Sequence, residues 1–162
     1  MILSLDANVF VYANITGKNI KNREKREEWV QLHRKADILY NDVLKGRHEV
    51  IIPSVIVAEV CTVISRMTNL EEEGLNAARE IQQYCIVVYE SKRIFDELLP
   101  IIAQIKGSGI DSILAAVAMK ASAFLITNDK RLYKRLKSST MGFDMKLLAD
   151  MSVNDAMSMG ET

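Results

Sequence analysis

Four acidic residues are unusual because each lies within or directly after an apolar segment. They are Asp6, Glu59, Asp111 and Asp129. A carboxylate held against an apolar surface needs a proton, a cation or a metal ion. Four carboxylates brought to one place would repel one another unless a divalent ion lay between them. The sequence therefore predicts metal-dependent phosphoryl chemistry, provided that the fold gathers these four side chains.

Each of these acids also has a simpler interpretation when it is taken alone. Asp6 and Asp129 precede predicted helices, where Asp is a preferred N-cap. Asp111 lies in the first turn of a predicted helix, where the helix dipole favours a carboxylate. Glu59 could form an internal salt bridge within a helix that is apolar on nearly every side and therefore predicted to be buried. Only the joint pattern of the four is specific.

The hydrophobic pattern alternates strands with helices along the whole chain. Strands are predicted at residues 2–5, 50–52, 85–88 and 123–127, with residues 145–148 forming a fifth strand or a final turn. Helices are predicted at residues 7–13, 22–45, 55–67, 70–84, 91–106, 110–121 and 130–137, and Pro100 must bend or divide the fifth of them.

Every connection between the predicted strands is long enough for a crossover. This predicts an α/β fold, a three-layer α/β/α sandwich with a central parallel sheet of four to five strands. In such folds ligands bind outside the carboxyl ends of the strands. Asp6 and Asp129 stand at two of these ends, so a site is expected there.

The composition is that of an ordinary globular domain. The chain has 162 residues, of which 21 are Lys or Arg and 21 are Asp or Glu, so phosphate binding must depend on local basic patches. We predict one domain over residues 1–149 and a C-terminal tail of unknown role over residues 150–162. No secretory signal is visible and Lys120 interrupts the longest apolar stretch, which predicts a cytoplasmic protein without a membrane segment.

The cysteines and histidines show no ligand spacing. Cys61 and Cys85 are far apart and lie among apolar residues, so we predict free buried thiols. His33 and His48 are predicted to be surface residues. A zinc site is therefore not indicated.

Four short motifs, taken in order, resemble those of PIN-domain ribonucleases, the family that includes VapC-like toxins and archaeal RNA-processing nucleases. They are LDAN at residues 5–8, PSVIVAEV at 53–60, DSILAAVA at 111–118 and TND at 127–129. Each motif is short, but together they extend over nearly the whole chain. The helix at residues 22–45 is longer and more charged than in many compact toxins of this family.

The resemblance implies a metal-dependent endoribonuclease that hydrolyses RNA phosphodiester bonds. It implies one or two Mg²⁺ or Mn²⁺ ions bound by the four acids, with Asn8 and Thr127 as supporting catalytic residues. It also implies a homodimer and, if the chain is the toxin of a toxin–antitoxin pair, a small antitoxin protein as partner.

RNA would have to be bound by local basic residues. Arg131, Lys134 and Arg135 follow Asp129 on one broad side of a predicted helix and are the first candidates. Residues 18–26 form the second candidate segment. Either run could instead be a solvated charged face.

Three other classes of function compete with this hypothesis. A PIN-like RNA-binding or protein-interaction module without catalysis would not need all four acids, which this chain retains. A phosphotransfer domain with an aspartyl nucleophile usually needs a second Asp where this chain has Asn8. The G-x-x-x-x-G-K-[ST] motif of nucleotide triphosphatases is missing from the sequence.

Overall fold

Five parallel strands form the central sheet in the computed structural model, which describes residues 1–159. The strands are β1 (Ile2–Leu5), β2 (Glu49–Pro53), β3 (Ile86–Val88), β4 (Phe124–Thr127) and β5 (Met145–Leu147), in the spatial order β3-β2-β1-β4-β5. All four neighbouring pairs are parallel. The fifth segment is thus a strand and not only a turn.

Helices connect the strands. They are α1 (Ala7–Asn14), α2 (Arg23–Leu44), α3 (Ser54–Thr68), α4 (Glu71–Tyr84), α5 (Lys92–Ile105), α6 (Gly109–Lys120), α7 (Lys130–Lys137) and α8 (Val153–Ser158), with a 3₁₀ turn at Leu148–Asp150. On one side of the sheet α1 packs against α2 and α3, whereas α6 packs against the sheet and is covered by α5. The predicted three-layer α/β/α architecture is confirmed.

The core forms because the strand residues are almost completely apolar. Leu3 and Leu5 of β1, Ile52 of β2, and Leu125 and Ile126 of β4 have no exposed surface. A continuous apolar strand is what a parallel sheet covered on both faces requires. The small residues of α6, among them Ala115, Ala116 and Ala118, let this helix approach the sheet closely.

The strand order reverses at β1, and this fixes where a ligand can bind. After β1 the chain adds β2 and β3 on one side, then places β4 and β5 on the other side. A crevice opens outside the carboxyl ends of the strands at such a switch point. Here it lies between the ends of β1 and β4, and these two strands are followed by Asp6 and Asp129 respectively.

The structure corrects three details of the sequence prediction. The helix α5 runs through Pro100 as one element, so Pro100, which is exposed, does not divide it. His48 is buried, with 4% of its surface exposed. His33 is half-buried, and its Nδ1 lies 2.6 Å from the carbonyl oxygen of Tyr12. Burial lowers the pKa of His48.

The C-terminal tail, in which the sequence showed no strong pattern, contains the helix α8. Its first turn is fixed by a capping box, in which Ser152 and Asp155 each accept a hydrogen bond from the other's backbone N–H. Met151 and Ala156 are buried in the main core. Residues 160–162 of the predicted tail lie outside the described residues.

Two further predictions concern the thiols and the membrane. Cys61 and Cys85 are both free, as predicted; Cys85 is buried and Cys61 is half-buried. Within residues 1–159 no single helix is long and apolar enough to cross a bilayer. The pair α5 and α6 reaches that length and hydropathy only together, across a bend of 111°.

Candidate active site

One cavity of about 260 Å³ contains the four predicted acids. Asp6 follows β1, Glu59 lies on α3, Asp111 lies in the first turn of α6, and Asp129 follows β4. Four separate elements thus deliver one carboxylate each to the sheet edge at the switch point. The structure brings all four together, which is the geometric part of the sequence prediction.

Asp6 is held by hydrogen bonds on both carboxylate oxygens. Its Oδ1 accepts a bond of 2.7 Å from the backbone N–H of Ala7, so Asp6 is the N-cap of α1. Its Oδ2 accepts bonds from the hydroxyl of Thr127 at 2.5 Å and from the amide of Asn8 at 2.8 Å. The capping interpretation and the site interpretation therefore both hold for this residue.

Asp129 is fixed in a similar way. Its Oδ1 accepts bonds from the backbone N–H groups of Arg131 and Leu132, which makes Asp129 the N-cap of α7. Its own backbone N–H donates to the hydroxyl of Thr127 at 2.9 Å. Thr127 thus links Asp6 to Asp129, and its side chain is fully buried.

Asn8 has a second bond that the sequence did not reveal. While its amide group donates to Asp6, its Oδ1 accepts a 3.0 Å bond from the backbone N–H of Asn128. The Oδ1 of Asn128 in turn accepts a bond from the backbone N–H of Ala149. These bonds join the end of β4 to α1 and to the 3₁₀ turn after β5.

Glu59 and Asp111 are held differently. Both are half-buried, and within residues 1–159 neither carboxylate accepts a hydrogen bond or forms a salt bridge. The salt-bridge alternative for Glu59 is therefore wrong. The prediction that α3 is buried on nearly every side is also wrong, because Ala58 and Thr62 are exposed.

The electrostatics of the cavity follow from burial and from the neighbouring acids. The pKa of Asp6 is raised to about 6: burial raises it most, the bonds from Thr127 and Ala7 lower it, and the charges of Asp111 and Glu59 raise it further. Burial, and then the charge of Asp111, also raises the pKa of Glu59. Within residues 1–159 no Lys, Arg or His lines this cavity. The negative charge is therefore not neutralised by the protein.

The donor set fits a hard divalent cation in its chemistry. Apart from the aromatic residues Tyr12 and Trp29, the polar side chains that line the cavity are carboxylates and the Asn8 amide, whose oxygens Mg²⁺ and Mn²⁺ prefer. Within residues 1–159 no thiol or imidazole lies among them. Within the described part of the chain, however, no three His, Cys, Asp or Glu side chains are placed so that they could hold one ion together. The two unbonded carboxylates, of Glu59 and Asp111, are the ones that could move toward an ion.

The candidate RNA-binding residues lie on α7 beside this cavity. Arg131, Lys134 and Arg135 are all exposed. Arg135 also donates a 2.6 Å bond to the carbonyl oxygen of Lys106, beyond the end of α5. Arg135 thus has a structural contact, whereas Arg131 and Lys134 make no side-chain bond among residues 1–159.

The cavity also has an apolar part that the sequence prediction missed. Tyr12, Trp29, Val63 and Met67 line it together with the acids. In the sequence, Tyr12 and Trp29 are only members of the predicted helices at residues 7–13 and 22–45. Spacing could have identified three of the four residues: Tyr12 lies one helical turn from Asn8, and Val63 and Met67 lie one and two turns from Glu59.

Comparisons with known proteins identify the family of this chain. The PIN domain family model matches residues 3–137. This chain belongs to the PIN domain family. Its relatives in that family are nucleases, so the family relationship predicted from the four motifs is confirmed.

The fold is shared with a solved structure. A chain of VapBC2 from Rickettsia felis, crystallised bound to a DNA fragment from the promoter of that pair, superposes with a TM-score of 0.57. The match covers 91% of this chain and 98% of that chain at 16% sequence identity. No curated protein matches the sequence significantly. The structural likeness therefore concerns the fold, and the family assignment rests on the sequence match.

Proposed function

We propose that this PIN-domain protein is a metal-dependent endoribonuclease. One observation carries the proposal: four elements deliver four carboxylates to one cavity that no basic side chain lines among the described residues. Such a site needs a divalent cation to neutralise it. Phosphodiester hydrolysis is the chemistry that the family and the site have in common.

Asp6, Glu59, Asp111 and Asp129 would hold one or two Mg²⁺ or Mn²⁺ ions. When bound, such an ion supplies an activated water and neutralises charge on the phosphodiester. The fixed residues Asp6 and Asp129 set the position of the site because α1, β4 and α7 hold them. Asn8 and Thr127 keep both oxygens of Asp6 oriented, so we assign them positioning roles.

The biological role that we favour is the toxin of a toxin–antitoxin pair. Its support is the fold shared with a chain of VapBC2. The partner would then be a small antitoxin protein, the substrate a cellular RNA and the location the cytoplasm. A processing nuclease of the same fold is the alternative role. Coexpression with the product of the neighbouring gene, with growth as the readout, distinguishes them: a toxin arrests growth alone and not with its antitoxin.

We also propose a homodimer. Exposed apolar residues of α4, namely Leu75 and Tyr84, support it. Most of the apolar residues of α2 do not, because Leu32, Ala36 and Leu39 are buried within the single chain. Light scattering at micromolar concentration tests this, and a monomer mass would contradict it.

The decisive experiment for the nuclease proposal is a cleavage assay with purified full-length protein. Structured and single-stranded RNA are incubated with Mg²⁺, with Mn²⁺ or with a chelator. We expect cleavage with either ion, none in the chelator, and cleavage lowered about a hundredfold or more by Asp111→Asn. RNA binding without cleavage under every condition would instead support a non-catalytic module, the alternative that the absence of a preformed three-ligand cluster within residues 1–159 favours.

A further inference from the structure

The active-site cavity changes character from one end to the other. Along α1, Asn8 lies at the acidic end and Tyr12 follows one turn later. Along α3, Glu59 is followed by Val63 and then by Met67 at successive turns. One turn of helix advances by about 5.4 Å. Both helices begin at the sheet edge. The residues that line the cavity therefore change along them from carboxylates to apolar side chains.

The aromatic part of this wall is held rigidly. Tyr12 and Trp29 contact each other edge to face, with ring centroids 4.6 Å apart at an interplanar angle of 65°. The Nε1 of Trp29 donates a 2.7 Å bond to the carbonyl oxygen of Ile15. The hydroxyl of Tyr12 accepts a long bond, 3.4 Å, from Asn128. Both rings are half-buried, so each keeps surface toward the cavity.

Gly17 also packs against the indole of Trp29. It has φ of +78°, and a Cβ at this position would lie 2.2 Å from Cδ1 of Trp29. The loop after α1 therefore packs its backbone directly on the indole, which only glycine permits. The rings are oriented before any ligand arrives, so stacking on them would cost little ordering entropy.

We propose that this wall, formed by Tyr12, Trp29, Val63 and Met67, binds one unpaired nucleobase of the RNA, beside the phosphodiester held at the acids. The inference rests on the proposed function, since it places the base next to the scissile phosphate. Aromatic side chains bind unpaired bases by stacking, independently of sequence. A duplex could not place a stacked base here, so the site selects single-stranded loops or ends.

The neighbouring surface provides a path for the chain beyond this base. Met67 also lines a second depression formed by the loop after α1, and Lys18 lies in that depression. Lys18 further borders a wide groove at the start of α2, which Arg26 lines together with Glu24, Glu27 and Glu28. Because carboxylates outnumber cations in that groove, Lys18 is the cation that the next phosphate of a bound RNA strand would meet after leaving the acidic cavity.

The first test uses the tryptophan itself, because Trp29 is the only tryptophan of the chain. Full-length Asp111→Asn protein, whose cleavage is expected to be slow, is titrated in Mg²⁺ with a short unstructured RNA while its fluorescence emission is recorded. A stacked base should quench Trp29. The same RNA is then prepared with an abasic residue at each position in turn, and abasic substitution at one position should remove most of the quenching.

The second test asks whether the Tyr12 ring contacts the base. Tyr12→Leu should weaken binding of intact RNA about tenfold. The matched control Tyr12→Phe, which keeps the ring, should bind like the unchanged protein. With RNA that is abasic at the sensitive position, the two variants should bind equally. Met67→Ala, at a residue that is 47% exposed, gives a smaller loss without disturbing the core.

The outcomes separate this inference from the nuclease proposal. If RNA is cleaved but Trp29 is not quenched, or if quenching is equal at every abasic position, the base site is wrong and the nuclease remains. If quenching depends on one base but no condition gives cleavage, the base site remains and the nuclease proposal fails. Equal loss of affinity for intact and abasic RNA in Tyr12→Leu would also overturn the base site.

Discussion

The two halves of the acidic cavity differ in how their carboxylates are held. Asp6 and Asp129 accept hydrogen bonds from backbone N–H groups and are joined through the buried hydroxyl of Thr127. Glu59 and Asp111, on α3 and α6, have no such partners among the described residues. We call these the fixed half and the free half.

This difference indicates which carboxylates support the fold and which are available to a ligand. The fixed half is built from helix caps, which stabilise the fold whether or not a ligand is bound. The free half leaves two charges near a buried carboxylate, an arrangement that stabilises nothing in the fold. Acids of the fixed half should therefore affect both stability and activity when replaced, whereas acids of the free half should affect activity alone.

The largest effect is expected from a replacement in the free half. We predict that Asp111→Asn lowers cleavage about a hundredfold or more, because a carboxylate that contacts the ion is lost. In chelator its free energy of unfolding should be unchanged or higher by up to about 1 kcal/mol, since one repulsive charge is gone. Single-turnover cleavage and urea unfolding measure the two quantities.

A matched control for this change is Asp96→Asn, which removes a carboxylate from the exposed side of α5, where it pairs with Lys92. Both cleavage and stability should be nearly unchanged there. A large loss of stability in Asp111→Asn would contradict the division, because it would show that Asp111 supports the fold.

The next effect concerns the fixed half. Thr127→Val keeps the shape of the side chain but removes the hydroxyl that donates to Asp6 and accepts from the N–H of Asp129. We expect a loss of about 3 kcal/mol in unfolding free energy, because a bond to a charged group is lost and a buried N–H is left unpaired. Thr127→Ser, which keeps the hydroxyl, should lose much less. Equal losses in the two variants would show that packing, not hydrogen bonding, holds this half.

Much of this arrangement could be predicted from the sequence, and the reasons are local. The apolar runs before Asp6 and Asp129 identify the strands, and the position of each Asp at a strand end identifies the sheet edge. Capping and ligand roles also share one signature, since Asp before a helix serves both. Both interpretations of Asp6, as a helix cap and as a site residue, therefore follow from the sequence. The sequence does not show that the two roles hold together.

Other features depend on contacts between distant residues, which periodicity does not show. Trp29 and His33 face α1 because the carbonyl groups at its C-terminal end need donors. Residue spacing on α2 alone predicts only an apolar face. Likewise, α8 is a short helix whose burial against α2 depends on the fold as a whole.

A smaller effect is expected from pH in the absence of metal. The pKa of Asp6 is raised from 3.8 to about 6 in the folded chain. Between these values the folded state binds more protons than the unfolded state, so stability falls as pH rises through this window. From pH 5 to pH 8 this one group should cost about 1.4 kcal/mol.

Urea unfolding of the unchanged protein and of Asp6→Asn, at both pH values in chelator, isolates this contribution. The variant should be less sensitive to pH by about that amount, whatever its stability at a single pH. Identical pH dependence in the two proteins would show that Asp6 is not the group responsible. Added Mg²⁺ should reduce the difference, since a bound cation favours the charged carboxylate.

The smallest effect should come from the basic helix beside the fixed half. Arg131 and Lys134 are exposed and follow Asp129, whereas Arg135 is bound to the carbonyl of Lys106. Replacing Arg131 and Lys134 together with Ala should weaken RNA binding for every sequence and make the slope of log affinity against log salt shallower by about 1.4, as two counterions fewer are released from single strands. Cleavage of saturating RNA should continue, since the acids are untouched.

Arg135→Ala should lower stability as well, which separates its structural bond from RNA binding. If the double variant keeps both its affinity and its salt slope, α7 is only a solvated face, and Lys18 and Arg26 become the cations to replace next.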